Sequence, residues 1–329
     1  MLKLFQRNMA LQIVLILAAV ALLWMKPLVS PPMLSVGEHP AILYSLLCSW
    51  LASVPRLAVV LALVLTLVGG ICINILLADV GLVSQNTLLP ALLYITLVSA
   101  GANTLTPEII VCSVSIACLA PLMLRSSLLT IPPSKACGAT ALIGIATLFH
   151  MPAVALMLSY MLIAANFRLY GWKDWIVMFL GFLAPYMLLI SVLFLTGDLD
   201  SWWNGVTAAL GDVMLRFDHL SQLQAIGVGF LALMFIWSLL NMSVRMNEHP
   251  VVWRQNASTV LLLSVGALGM AIYSPLSAKT LVPFAIPFAF CFTHLLLPTQ
   301  SSFGFHGRKK HTWIYETLFI LTLIAAFVC

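Results

Sequence analysis

The chain has 329 residues, of which 62% are hydrophobic and only 8% charged, with a net charge of +5 at neutral pH. A soluble domain cannot bury that much apolar surface. Neither Walker-type nor dinucleotide-type glycine patterns occur, and no gap between the apolar runs is long enough to fold a nucleotide-binding domain, so chemistry driven by ATP bound to this chain is excluded.

A hydrocarbon core of about 30 Å needs about 20 helical residues to cross it, and backbone groups left unpaired in lipid cost several kcal/mol, so long apolar runs must be helices. Such runs occupy residues 9–25, 57–77, 81–102, 107–124, 137–150, 152–166, 174–196, 222–242, 257–273, 280–297 and 313–328. The expected fold is all-α, a polytopic bundle of about 11 helices forming a single membrane domain over 1–329. The first run follows Lys3 and Arg7 as a signal peptide would. Trp24-Met25-Lys26-Pro27 follows it directly in place of a small-residue cleavage site, which predicts an uncleaved first helix.

A long outer loop, 26–56, comes next. It carries Pro27, Pro31 and Pro32, then Glu38 and His39, then the apolar stretch from Ala41 to Ser53 with Tyr44 and Trp50. That stretch is too short to span, and its aromatic residues predict an interfacial helix lying at headgroup level. The segment 137–166 reads as a hairpin of two short helices around Met151, with Lys135 and Arg168 bracketing it and His150 and Pro152 at its tip. Helices that short must be shielded by protein or line a polar cavity. A second outer loop, 197–221, holds Asp198, Asp200, Trp202, Trp203, Asp212, Arg216 and Asp218, with another interfacial helix expected from about Asn204 to Phe217.

Charge sets the orientation. An amino terminus in the cytoplasm places Lys3, Arg7, Arg125, Lys135, Arg168, Lys173, Arg245, Arg254, Arg308, Lys309 and Lys310 inside. Only Lys26, Arg56, Arg216 and Lys279 of the 15 basic residues then lie outside. This is the positive-inside pattern of a bacterial inner (cytoplasmic) membrane protein. The positive charge serves orientation, so no nucleic-acid partner is expected. Glu38, Glu108, Asp198, Asp200, Asp212 and Asp218 fall in or beside outer loops. The triplet Glu-His-Pro occurs at 38–40 and again at 248–250, but the two copies fall on opposite sides with unlike flanks.

The seven cysteines form no C-x-x-C pair and lie in apolar segments, where they read as small packing residues, with neither a disulfide framework nor a zinc site. Chemistry is expected at the outer loops. Glu38 and His39 are the candidate catalytic residues, because a carboxylate at the mouth of an apolar bundle can act as a general base or hold a divalent cation. Arg56 and Arg216 can clamp a phosphate through paired hydrogen bonds. Asp198, Asp200, Trp202 and Trp203 complete the candidate substrate-binding set, the tryptophans stacking on a sugar or anchoring the loop in the interface. No protein metal site is expected, and a divalent cation is the one cofactor these carboxylates would take. Asn74, Asn103, Asn166 and Asn241 are expected to join helices by hydrogen bonds.

Several stretches resemble an uncharacterised family of bacterial multi-pass membrane proteins: Asn86 to Pro90, Thr106-Pro107-Glu108, Gly144 to His150, and Gly171-Trp172-Lys173-Asp174-Trp175 leading to Gly181 and Pro185. The similarity covers roughly residues 60–200. More distantly, one helix, a long acidic outer loop with an interfacial helix, and then a crowded bundle is similar to the membrane-embedded glycosyltransferases of the C superfamily. That likeness implies transfer of a sugar from a polyprenyl-phosphate carrier at the outer face, in envelope glycan assembly, with a first-loop carboxylate as base or metal ligand. Only Glu38 matches that role, and His39 stands where the usual acidic pair would continue. The other classes the sequence admits are a non-enzymatic subunit of an envelope membrane-protein complex and a carrier or flippase of membrane lipids.

Overall fold

The computed structural model describes residues 9–32, 41–83, 87–123, 133–167, 171–211, 221–273, 277–296 and 312–328. Among them every regular element is helical. The α-helices are α1 (Met9–Val29), α2 (Ile42–Leu51), α3 (Pro55–Asp79), α4 (Leu89–Gly101), α5 (Pro107–Met123), α6 (Pro133–Phe149), α7 (Ala155–Asn166), α8 (Trp172–Thr196), α9 (Leu199–Gly211), α10 (Gln222–Arg245), α11 (Val251–Tyr273), α12 (Ala285–Leu296) and α13 (Thr312–Val328). Short 3-10 turns at Met151–Val154 and Ala278–Phe284 lead into α7 and α12. Thirteen helices thus stand among the described residues where the apolar runs give about eleven, and α2 and α9 fall in the two segments expected to carry loop helices. Six segments are long and apolar enough to cross a bilayer: Met9–Val29, Pro55–Asp79, Trp172–Thr196, Gln224–Val244, Val251–Tyr273 and Ala278–Leu296. This marks the chain as an all-α membrane protein.

The centre is built from helices too short to cross alone. All thirteen residues of α4 are buried, and it packs against α1, α3, α12 and α13. At 1.5 Å per residue it is about 20 Å long against a hydrocarbon core of about 30 Å, so neighbouring protein must cover its ends and flanks. The apolar run beginning at residue 81 is therefore not one helix. Gly81, at a φ of 74°, sits in the left-handed region just past the end of α3, and α4 starts only at Leu89 with Pro90 in its first turn. In α12, likewise, every residue except His294 is buried. By contrast α8, with 25 residues, buries only Met178 and Gly181 and turns Leu188, Phe194 and Leu195 outward.

The hairpin is longer than its apolar cores suggest. Pro133, whose ring presets a helical φ and whose missing N–H costs nothing in a first turn, opens α6 four residues ahead of the expected start. Both arms are clamped through glycine. A Cβ on Gly144 would lie 2.5 Å from the Phe182 carbonyl oxygen and 3.0 Å from Pro185, and one on Gly181 would lie 2.5 Å from the Cys137 carbonyl. Tyr186 donates to Thr147 Oγ1 at 2.7 Å, and Thr147 donates to the Gly144 carbonyl at 2.6 Å, extending the α6–α8 seam. The other arm lies on α11, where a Cβ on Gly266 would meet Ser159 Oγ and one on Gly269 would meet the Ala155 Cβ, each at 2.5 Å. Close backbone approach of this kind is how helices gain packing energy where water supplies no drive.

The chain meets itself at two ends. At the near end, which holds the start of α1, the Gln12 side-chain oxygen accepts from the Leu88 N–H at 2.6 Å, and His294 Nε2 donates to the Leu82 carbonyl at 2.8 Å. Asn166 donates to the Gln255 carbonyl at 2.8 Å and to Thr259 Oγ1 at 3.2 Å, while Gln255 Nε2 returns a bond to the Asn166 carbonyl at 2.7 Å. The interhelical role expected of Asn166 is therefore present. Asn74 Oδ1, in contrast, is buried with no hydrogen-bond partner among the described residues. The far end holds the α4–α5 turn, the hairpin tip and α2.

Candidate functional site

The far-end site begins with the turn between α4 and α5. Pro107 stands at the first helical position of α5, and Glu108 follows in the first turn, where the exposed N–H groups of a helix favour a carboxylate. A capping carboxylate ordinarily uses its oxygens on those donors or on water. Here Glu108 Oε2 is buried with no hydrogen-bond partner among the described residues, and so are the hydroxyls of Thr104 and Thr106 on the same turn.

His150 stands at the hairpin tip, at the same end of the bundle as this turn. Its backbone is extended (φ −151°, ψ 103°), which breaks α6 from the 3-10 turn, and its carbonyl accepts from the Ala153 N–H at 2.9 Å. The imidazole Nε2 is buried and has no partner among the described residues. Burial holds the His150 imidazole below the ordinary histidine range, with the Glu108 carboxylate opposing that shift. A buried polar group left unsatisfied costs about 1–3 kcal/mol, and four such atoms stand at this end of the bundle.

The lid over this end is α2. Tyr44 is buried and donates its hydroxyl to the Leu105 carbonyl at 3.0 Å, tying α2 to the turn that carries Glu108. Burial first, then Cys48, then the nearby Glu108 carboxylate push the Tyr44 phenol well above the ordinary tyrosine range, so it remains a neutral donor. α2 also rests on α6, which brings the first outer loop's helix against the hairpin.

The residues singled out from the sequence are distributed differently. Glu38, His39 and Arg216 lie outside the described residues. Arg56 is exposed in the first turn of α3, just after α2. Asp198 and Asp200 are exposed around the start of α9, after Gly197 (φ 81°) closes α8. Trp202 is half-buried and Trp203 exposed, their rings 6.3 Å apart and tilted. The structure therefore brings Asp198, Asp200, Trp202 and Trp203 onto one short segment. The expected helix of this loop begins earlier than Asn204, at Leu199, because Asp198 and Asp200 provide the acidic start that a helix amino terminus favours. No three of His, Cys, Asp and Glu gather as a metal would require among the described residues.

Glu108 and His150 were not among the expected site residues. Glu108 carries one legible signal, as the only carboxylate between Asp79 and Asp174, on a Thr-Pro helix opening. Nothing in the sequence pairs it with His150. The fold defines the chain as an all-α membrane protein, with partnerless acid, imidazole and hydroxyl atoms at one end among the described residues. Comparison with known protein families, with curated proteins and with solved structures finds no match.

Proposed function

We propose that the chain is a bacterial inner-membrane protein with eleven crossings and a cytoplasmic amino terminus, and that it transfers a sugar from a polyprenyl-phosphate carrier at the outer face, in envelope glycan assembly. The near end is then cytoplasmic and the far end is outside. Once α2 and α9 are set aside as interfacial, eleven α-helices remain. The observation that carries the functional reading is the set of partnerless acid, imidazole and hydroxyl atoms at the far end, where Tyr44 ties down α2, the helix that follows Glu38 and His39 in the sequence. A polyhydroxylated substrate supplies the hydrogen bonds that such atoms lack. Glu38 activates the acceptor or holds a divalent cation, Arg56 and Arg216 hold the carrier phosphate, and the segment with Asp198, Asp200, Trp202 and Trp203 closes over the sugar. The resemblance to the C superfamily of glycosyltransferases supports this order of parts.

The test is lipid binding by native mass spectrometry of the full-length protein in nanodiscs. A polyprenyl monophosphate should be retained in preference to phosphatidylglycerol, and Arg56→Ala combined with Arg216→Ala should abolish the preference. Equal retention of the two lipids by the parent protein would remove the carrier-phosphate reading.

A further inference from the structure

At the near end rings from separate elements meet. His249, in the link between α10 and α11, lies on the Trp253 ring with 3.8 Å between ring centres and 25° between planes. His294, near the end of α12, stands edge-on to Trp253 at 5.3 Å, with its centre 6.5 Å from that of His249. The His249 N–H donates to the Met246 carbonyl at 3.3 Å, and the Pro250 carbonyl accepts from the Arg254 N–H at 3.0 Å as α11 begins. A residue just before a helix that packs on its first turn is ordinarily a staple, which fixes the entry of the chain whatever the pH. Here a second imidazole arrives from another helix. It is held through Nε2 on the Leu82 carbonyl at 2.8 Å, so the rings join the α10–α11 link to α12 and to the turn after α3.

These contacts respond to charge. An imidazolium lying on an indole face gains a cation–π attraction that the neutral ring lacks, and tryptophan is the best ring for it. The bond from His294 to Leu82 needs only an N–H at Nε2, which the charged ring and one neutral tautomer both carry. Charge on both imidazoles would repel across 6.5 Å, so the arrangement suits one charge, on the ring that covers the indole. The other charged groups on the elements around His249 are Arg254 on α11, which opposes that charge, and the exposed Asp79 at the end of α3. Its sequence neighbours Arg245 and Glu248 are of opposite sign.

We propose that His249, Trp253 and His294 form a protonation-sensitive clasp, which draws the α10–α11 link onto α12 as the medium at the near end acidifies. The charged His249 holds the clasp closed, so the extra hold is present at low pH and is lost as pH rises through the histidine range of about 5 to 8. The clasp is independent of the transferase reading, for it lies at the end of the bundle opposite Glu108 and His150 and uses none of the candidate site residues.

The experiment follows Trp253 by fluorine NMR of the full-length protein, labelled with fluorotryptophan in nanodiscs, with Trp253→Phe assigning its signal. Between about pH 5 and about pH 8 the signal should shift along a single titration curve, and His249→Gln should flatten it. Amide hydrogen exchange is read on the same samples, corrected for the pH dependence of free-peptide exchange. Protection over residues 246–249 should be about fivefold greater at the acid end of that range than at the alkaline end, as a cation–π contact at a half-buried site implies. His249→Arg, charged throughout, should keep the acid-end protection at both ends. A Trp253 signal that does not titrate, a titration that survives His249→Gln, or equal protection at both ends overturns the clasp. So does a His249→Arg protein that follows the parent's pH dependence.

Discussion

At the near end of the bundle, polar side chains join elements distant in sequence: Gln12 to Leu88, His294 to Leu82, Asn166 to Gln255 and Thr259. His249 stacks on Trp253 at 3.8 Å between ring centres, and Trp253 meets His294 edge-on at 5.3 Å. Arg254 Nε and Asn74 Oδ1 are exceptions there, buried without a partner among the described residues. The far end is tied as well, Tyr44 to Leu105, Trp24 to Ser99 and Tyr186 to Thr147, yet four partnerless polar atoms stand there beside the tethers. Both ends are fastened, and the far end adds an acid, an imidazole and two hydroxyls whose buried atoms have no partner among the described residues. Unsatisfied groups are a cost that folding alone does not explain.

That contrast can be broken in several ways. The largest effect expected is all-or-none and concerns sides. A reporter active only in the cytoplasm, fused after Lys135, Arg168 or Arg254, should be active, and one fused after Ser35 or Asp200 should be silent. Equal activity at any such pair would end the assignment of the two ends to opposite faces.

Next comes Gly144→Leu at the α6–α8 seam. Because even a Cβ there would sit 2.5 Å from a backbone oxygen, which cannot swing aside as a side chain can, the cost should be about 3 kcal/mol, at the upper end of overpacking effects. A melting temperature equal to the parent's in detergent would show that the hairpin is not packed on α8.

His294→Leu tests the fastening itself. It leaves the Leu82 carbonyl without its donor at a buried site, which should cost about 1–3 kcal/mol. Thermal stability is the readout, and glycan transfer per folded molecule should stay unchanged. Loss of transfer at normal stability would mean that the near end is more than structural.

Tyr44→Phe should be milder, about 1 kcal/mol for one hydrogen bond, and should act locally. Backbone hydrogen exchange of α2 and of residues 102–106 should rise while the near end is unaffected. Uniform exchange across the molecule would argue against α2 as a tethered lid.

The smallest effects are expected at Asp198→Asn and Asp200→Asn. Both side chains are exposed, so stability should change by less than about 0.5 kcal/mol. Any loss in transfer by these variants then reports substrate contact and not folding.

Sequence alone carried the class and much of the layout. Apolar length and charge asymmetry sufficed for an all-α membrane chain, for helices in both long loops and for a hairpin at 137–166, because helix length and hydrocarbon thickness are locally coupled. Boundaries moved where single residues set the backbone, as Gly81 and Pro133 did. Hydropathy could not tell α4 from α8, since a lipid tail and a protein interior are equally apolar to a leucine. Yet α4 is buried throughout, while α8 buries only Met178 and Gly181. That Glu108 Oε2 and His150 Nε2 are buried without partners was equally invisible, for it depends on which helix ends the packing brings together. Which polar atoms find partners, and which are left to receive a ligand, is decided only when distant turns meet in three dimensions.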